Sequence, residues 1–251
     1  GMGYTVLQSE RMSDINDATI SMDGLRKGDN DRPEFDLINL PLPIIHKDFS
    51  FSARQIAASR NGQTPLDTSM AELAARKVAE EAEKLAIGVS ATYKFGGGTI
   101  YGMTNFEPRI LADITPPTAS GWTPEVLISE ILAMREQAKN AKHYGPYMLY
   151  MSSGWDQYLD TDYKALVTST LRQRIGMIDN ISGVRTLDFM TGYQIVLLQM
   201  TPDVVREVVG MDITTVQWES DGGMLQNFKV MAILIPQFRT DFNGTTGIVH
   251  G

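Results

Sequence analysis

Residues 33–88 read PEFDLINLPLPIIHKDFSFSARQIAASRNGQTPLDTSMAELAARKVAEEAEKLAIG, an extended segment followed by one amphipathic helix. The first part cannot be helical, because Pro41 and Pro43 lack the backbone N–H that a helix needs and confine the chain to a sheet edge. We therefore predict one extended segment over residues 35–51. At about 3.3 Å per residue such a segment spans about 50 Å, more than the radius of a compact chain of this size. We expect it to project from the body.

A polar segment with few large apolar groups precedes this stretch. Residues 16–22 alternate between apolar and polar side chains, which favours a strand, and turn formers follow. Together with residues 35–51 they predict a long hairpin with a charged tip. The tip residues that we expect to contact other subunits are Arg26, Lys27, Asp29, Asp31, Arg32 and Glu34.

The first 55 residues cannot build a core of their own. We therefore expect them to fold against something else, and a second copy of the same chain is the simplest choice. An ordinary surface hairpin or a tail is the alternative for this segment. The prediction makes the chain a self-assembling structural subunit.

The clearest helix signal lies at residues 69–86. Ser69, with Glu72 three residues further on, has the pattern of a capping box. One apolar stripe at helical spacing contains Met70, Leu73, Ala74, Val78, Ala82 and Leu85. Because this stripe is rich in alanine, we expect the helix to lie close against a sheet along its whole length.

The second half of the chain predicts a layered arrangement of helices and strands. Thr123 and Pro124 are typical of an N-cap and a first helical position, so a helix is predicted from here to about residue 142. Three apolar runs, typical of strands buried on both faces, cover residues 147–151, 193–200 and 230–235. Short helices are predicted at 155–159 and 169–177, and a hairpin turn at 221–223. The fold class is α+β.

Composition excludes several kinds of site. The chain has no cysteine, which excludes disulfides, thiolate metal ligands and thiol nucleophiles. No apolar run approaches the roughly 20 residues of a membrane span, and the first residues lack a signal-peptide profile, so we expect no membrane association. A net charge of −8 disfavours phosphate-backbone binding, which needs clustered lysine and arginine. A cytosolic protein is the expectation.

A search for catalytic groups assigns no catalytic, cofactor-binding or metal-binding residue. The three histidines, His46, His143 and His250, have no second ligand at metal spacing, so solvated or structural roles are favoured. The triple glycine at residues 96–98 lacks the ending of a phosphate loop and predicts a flexible turn. We therefore expect that the protein is not an enzyme.

Five segments occur in an order that is known from one family. They are the segment 40–54, which begins with Leu40–Pro43 and ends with Phe51–Arg54, the helix at 71–86, and the segments 143–147, 171–175 and 230–238. In this order and spacing the chain resembles the Hong Kong 97-type fold of tailed-phage major capsid proteins. The chain also resembles the encapsulin (linocin-like) shell proteins.

The resemblance implies a division of the chain into five parts. They are an N-terminal arm at 1–14, an E-loop hairpin at 15–55, a P-domain at 56–110 that contains the spine helix 69–86, an A-domain at 111–224, and C-terminal strands at 225–251 that return to the P-domain. The arm and the hairpin of such proteins lie across neighbouring subunits. The A-domain lies around the five-fold and six-fold centres.

The function implied by the resemblance is that of a major capsid protein. Such a protein forms pentamers and hexamers in the icosahedral shell of a virion, is assembled in the cytoplasm of the host bacterium, and encloses double-stranded DNA without specific binding. Decoration, portal or scaffold proteins are the other partners that the resemblance implies. The net negative charge of this chain fits the inner surface of a shell along which DNA slides.

Two alternatives remain open. The first is an encapsulin, which encloses cargo enzymes; encapsulins carry an amphipathic N-terminal helix, and residues 1–14 show no such stripe, which favours a viral capsid. The second is a cytosolic oligomeric enzyme with a dimerisation arm. Such an enzyme would sediment as a dimer and bind a small molecule, whereas both shell proteins would form closed particles.

Overall fold

The structure is a computed structural model that describes residues 2–13, 20, 22, 32, 34–62, 69–164 and 169–251. The strands in these residues are β1 (Val6–Met12), β2 (Phe35–Pro41), β3 (Ile45–Ser52), β4 (Tyr93–Phe95), β5 (Gly98–Ile100), β6 (Ile110–Leu111), β7 (Tyr147–Ser152), β8 (Ile181–Leu187), β9 (Ile195–Gln199), β10 (Val205–Ser220), β11 (Leu225–Phe238) and β12 (Ile248–His250). The helices are α1 (Ala53–Arg60), α2 (Ser69–Ile87), α3 (Pro124–Asn140), α4 (Asp156–Leu159) and α5 (Leu171–Gly176).

The central sheet contains five strands in the order β6–β12–β9–β7–β8. Its inner strand β9 is buried at every residue, because successive side chains enter two different apolar clusters. Leu197 lies in one cluster with Ile131 of α3, and Val196 lies in the other with Phe106. The predicted buried strands at 147–151 and 193–200 and the helix that begins after Thr123 are confirmed.

The long sheet contains three antiparallel strands in the order β10–β11–β3. Strands β10 and β11 form a hairpin whose turn is a short 3-10 segment at Asp221–Gly223, as predicted. Helix α2 covers part of one face, where Ala74 and Val78 pack with Val230 and Ala232. The small side chains let the helix approach the strands closely here, as predicted, but Met70 and Leu73 of the predicted stripe are 45% and 44% exposed, so this contact does not extend along the whole helix.

The front hairpin is the antiparallel pair β1–β2, which runs in register from Val6 opposite Pro41 to Met12 opposite Phe35. Its inner face packs on the same chain, where Leu40 lies in a buried cluster with Ile233. The expectation that the first 55 residues have no place within their own monomer is therefore wrong for β1, β2 and β3. An inner row of leucines gives the hairpin an apolar face that its own long sheet covers.

The strand that pairs with β2 differs from the one that the sequence predicted. It is Val6–Met12, within the segment 1–14 that was assigned to the arm. Residues 16–19 and 21 of the predicted strand at 16–22 lie outside the described residues. The predicted extended segment 35–51 is also divided, because the chain leaves strand geometry at 42–44 and passes from the front hairpin into the long sheet. It does not form a single projecting strand.

The triple glycine forms the tight turn between β4 and β5 and positions the front hairpin. Gly96 and Gly97 have positive φ angles of 59° and 76°, which favour glycine. A Cβ on Gly98 would lie 2.2 Å from the backbone oxygen of Asn39, so β2 can pass only because that position lacks a side chain. Asn39 Nδ2 donates to the oxygen of Gly96 at 3.0 Å.

The sheets divide the chain differently from the expected boundary at residue 224. Strand β10 precedes that boundary, yet it pairs along its length with β11 of the long sheet. Strand β12 follows it, yet it pairs with β9 and β6 of the central sheet. The chain therefore crosses between the two sheets at about residue 204 and again near residue 240. None of the described helices has the length and apolar content of a transmembrane span.

Candidate assembly surface

The outer face of the front hairpin exposes three large apolar side chains. Met12 and Phe35 lie opposite each other in the register, and Leu37 follows Phe35 on the same face. They are 58%, 62% and 59% exposed. Neighbouring apolar residues on one exposed face are typical of a protein interface, and covering each side chain would contribute on the order of 1–2 kcal/mol.

Glu34, one of the predicted tip residues, lies just beyond the last ladder pair of this hairpin. The amide of Ser13 donates to the oxygen of Glu34 at 2.8 Å, and the amide of Glu34 donates to Ser13 Oγ at 2.9 Å, which adds one pair beyond the ladder. Arg32 is exposed. The other four predicted tip residues, Arg26, Lys27, Asp29 and Asp31, lie outside the described residues, so their contact with another subunit stays a prediction.

The long sheet has an open edge. Strand β10 is its outer strand, and no other strand of the described residues pairs with its free side. All eight residues 212–219 are exposed, and Ile213, Val216 and Trp218 are large and apolar. Free backbone N–H and C=O groups on such an edge are a template for strand pairing, and this stretch has no lysine or proline to prevent it.

Polar groups lie beside the exposed apolar residues of β10. The ammonium of Lys229 lies 5.8 Å from the ring centroid of Trp218 and 3.5 Å from the carboxylate of Asp48. His46 Nδ1 lies 3.3 Å from the same carboxylate. An apolar centre with a polar rim is the usual composition of a protein–protein interface.

The other two histidines lie in the body and make contacts within it. His143, three residues after the end of α3, is buried. His250 Nδ1 accepts a hydrogen bond from Arg109 Nε at 3.1 Å, and burial together with the Arg109 charge lowers the pKa of His250 below 6.5. Within the described part of the chain, no group of three or more histidine or acidic residues has the geometry to hold a metal ion.

Comparison with known proteins gives a family and a fold. The family described as "Family of unknown function (DUF6260)" matches residues 1–251. The chain belongs to this family. A type 1 encapsulin shell protein of Myxococcus xanthus is 25% identical over 176 residues, which cover 67% of this chain and 58% of that protein. The match therefore spans less than two thirds of that relative.

Two solved structures show the fold of this DUF6260 chain. The virus-like particle from Pyrococcus furiosus matches with a TM-score of 0.65 and 16% identity, over 98% of this chain and 86% of that one. The capsid of Myoviridae phage XM1 matches with a TM-score of 0.71 and 10% identity, over 98% and 85%. The DUF6260 chain has the Hong Kong 97-type fold, which confirms the predicted α+β class and the resemblance.

The open edge of β10 is the part of the candidate surface of the DUF6260 chain that the sequence did not reveal. The hairpin turn that follows β10 was predicted at residues 221–223, but the position of β10 at the edge depends on which strands pair. The apolar residues Ile213, Val216 and Trp218 are the available signal, because they occur on both faces of a strand that one chain covers incompletely. The exposed face of the hairpin was missed for the same reason.

Proposed function

We propose that this protein is a shell-forming structural subunit that assembles with copies of itself into a closed capsid-type particle. The observation that carries the proposal is the fold match over 98% of the chain to a virus-like particle and a phage capsid. The exposed apolar face of the front hairpin and the open edge of β10 support it, because both are surfaces that a second copy would cover. No catalytic role is assigned.

Within this class, we propose the major capsid protein of a tailed phage, whose shell encloses double-stranded DNA in a virion. Residues 6–12 form a strand and not the N-terminal amphipathic helix of encapsulins, which favours the phage assignment. The encapsulin alternative is supported by the 25% identity with the Myxococcus xanthus shell protein. In both assignments the subunits form pentamers, and larger shells contain hexamers as well.

Electron microscopy of the purified protein tests the proposal. We expect closed particles of regular outline. Large particles with a high ratio of absorbance at 260 nm to that at 280 nm, isolated from the source cells, indicate an enclosed genome. Small uniform particles that copurify with an enzyme indicate an encapsulin. If the protein sediments as a dimer under every salt condition, with or without candidate scaffold proteins, the shell assignment is wrong.

The tip prediction is tested by charge reversal. Arg26→Glu, Lys27→Glu and Arg32→Glu combined should reduce the yield of particles at least tenfold and leave the circular dichroism spectrum unchanged, because these charges act between subunits. The control combines Arg54→Glu, Arg60→Glu and Lys94→Glu, three exposed residues of the body with the same change in net charge. An equal loss of particles in the control would assign the effect to total charge and not to the tip.

A further inference from the structure

One arginine of the front hairpin joins the end of the hairpin to a distant loop. The guanidinium of Arg11 donates through one nitrogen to Thr240 Oγ1 at 2.7 Å and to the backbone oxygen of Asp241 at 3.1 Å. Its other terminal nitrogen donates to Asp36 Oδ2 on the paired strand at 2.9 Å. The same group lies 5.7 Å from the ring centroid of Phe242. The fixed fork of donors in arginine suits such a set of acceptors, and lysine cannot reproduce it.

The loop that Arg11 contacts is itself fixed to the body. Asp241 accepts hydrogen bonds from the amide and the hydroxyl of Thr245, both at 2.7 Å, and the amide of Asp241 donates to the oxygen of Thr245 at 2.9 Å. Thr246 Oγ1 donates to the oxygen of Arg239 at 3.0 Å. These bonds hold the loop closed beside β11 and just before β12, so it provides a firm attachment for the hairpin.

The contacts between the hairpin and the body follow each other along its length. Asn39 donates a hydrogen bond to the glycine turn. Further along, Gln237 donates through Nε2 to Ser9 Oγ at 3.1 Å. The Oε1 of Gln237 accepts a hydrogen bond from Arg206 Nε at 2.6 Å. Arg11 makes the last of these contacts, two residues before the pair of Ser13 and Glu34 that lies just beyond the ladder. Arg11 therefore makes the side-chain contact with the body that lies nearest to the described end of the hairpin.

We propose that Arg11 is a positioning residue that fixes the angle of the front hairpin on its own subunit, and thereby the place where the tip meets the next copy. This inference rests on the proposed shell function. The chain between Ser13 and Glu34 can reach at most about 33 Å from the ladder, so a turn of about 10° at Arg11 displaces its far end by up to about 6 Å. A shift of that size exceeds the length of a hydrogen bond and changes which groups meet.

The first experiment measures the hairpin angle in unassembled subunits. Because the chain has no cysteine, Met12→Cys and Glu136→Cys place two spin labels on the hairpin and on α3. Arg11→Gln and Thr240→Val should each widen the distance distribution at least twofold, and Arg11→Lys should resemble Arg11→Gln. Arg54→Gln, a change of an exposed arginine on α1, should leave it unchanged. Unchanged distributions in both Arg11→Gln and Thr240→Val would overturn the proposal.

The second experiment measures the particles. Arg11→Gln and Thr240→Val should lower the yield of closed particles at least fivefold and at least double the spread of their diameters, without loss of secondary structure. Particles of wild-type yield and diameter in both variants would overturn the role of Arg11 in assembly. If the wild-type protein forms no particles, the shell function fails, and the spin-label distances still decide separately whether Arg11 holds the hairpin. Thr240→Val keeps the test decisive if Arg11→Gln does not fold.

Discussion

The central sheet and the long sheet differ in how much of their apolar surface one chain covers. Strand β9 of the central sheet is buried at all five residues, whereas β10 of the long sheet is exposed at all eight residues 212–219. In the central sheet, the two apolar clusters that receive alternate side chains of β9 cover both faces of this strand within the monomer. In the long sheet, α2 and the front hairpin cover only part of the apolar surface, and β10 has no partner strand on its outer side among the described residues. One chain therefore leaves apolar side chains of this sheet exposed.

Two tryptophans give the largest expected contrast between the sheets. Trp155 in the central core is fully buried, and Trp218 on β10 is 41% exposed. Trp155→Ala should lower the free energy of unfolding by about 3–5 kcal/mol, because it leaves a large cavity. Trp218→Ala should cost less than about 1 kcal/mol in the monomer. Urea unfolding followed by circular dichroism measures both.

The yield of particles should depend on the two tryptophans in the opposite order to the free energy of unfolding. Trp218→Ala should reduce the yield of particles because it removes apolar surface at the open edge of β10. Conservative replacement of Trp155 by Phe serves as the matched control, since it should destabilise the monomer and leave the assembly surface intact. Equal stability losses at the two positions, or normal particles from Trp218→Ala, would contradict the contrast.

A smaller effect is expected where the front hairpin meets the long sheet. Gly98→Ala places a Cβ 2.2 Å from the backbone oxygen of Asn39, which cannot move without moving β2. We expect a loss of about 1–3 kcal/mol in the free energy of unfolding, the usual cost of overpacking. Gly176→Ala is the control, because a Cβ there meets nothing within 4 Å. The hairpin is not held by this contact if both variants unfold at the same urea concentration.

The smallest effect is a pH dependence of the central sheet. Burial, with the Arg109 charge, lowers the pKa of His250 below 6.5 in the folded protein, so the unfolded chain binds the proton more tightly. The stabilisation is therefore full above about pH 6.5 and is lost as the pH falls towards the folded-state pKa, at no more than about 1.4 kcal/mol per pH unit.

Replacement of this histidine isolates its contribution. Urea unfolding at pH 7.5 and at pH 5.5 should give a smaller difference for His250→Gln than for the wild type, because glutamine does not titrate. An identical difference in both proteins would assign the pH dependence to other groups.

Local patterns were sufficient to predict the central sheet and its helices. Helix α2 was predicted from Ser69 to about Ala86 and ends at Ile87, and Thr123 is the N-cap of α3, because capping residues and apolar spacing act within one or two turns. The buried strands were recognised from continuous apolar runs. These features depend on neighbours in sequence, so a single sequence contains the necessary information.

The parts that depend on distant pairing could not be predicted in the same way. Strand β1 has a weak pattern, and only its partner β2 explains why it lies at Val6–Met12. The contact of Arg11 with Thr240 joins residues 229 positions apart, with no local signal. Of the six predicted tip residues, the structure places only Arg32 and Glu34. The assembly surface depends on which edges and faces one chain leaves uncovered, which follows from the complete topology.

Strand β6 has a consequence for how the protein is made. Its only partner strand among the described residues is β12, with Val249 opposite Ile110, about 140 residues later in the chain. During synthesis, the ribosome must therefore add most of the chain before the central sheet can close, and contacts of such long range fold slowly. Until then the nascent chain keeps part of its core open, and we expect chaperones to bind it at this stage.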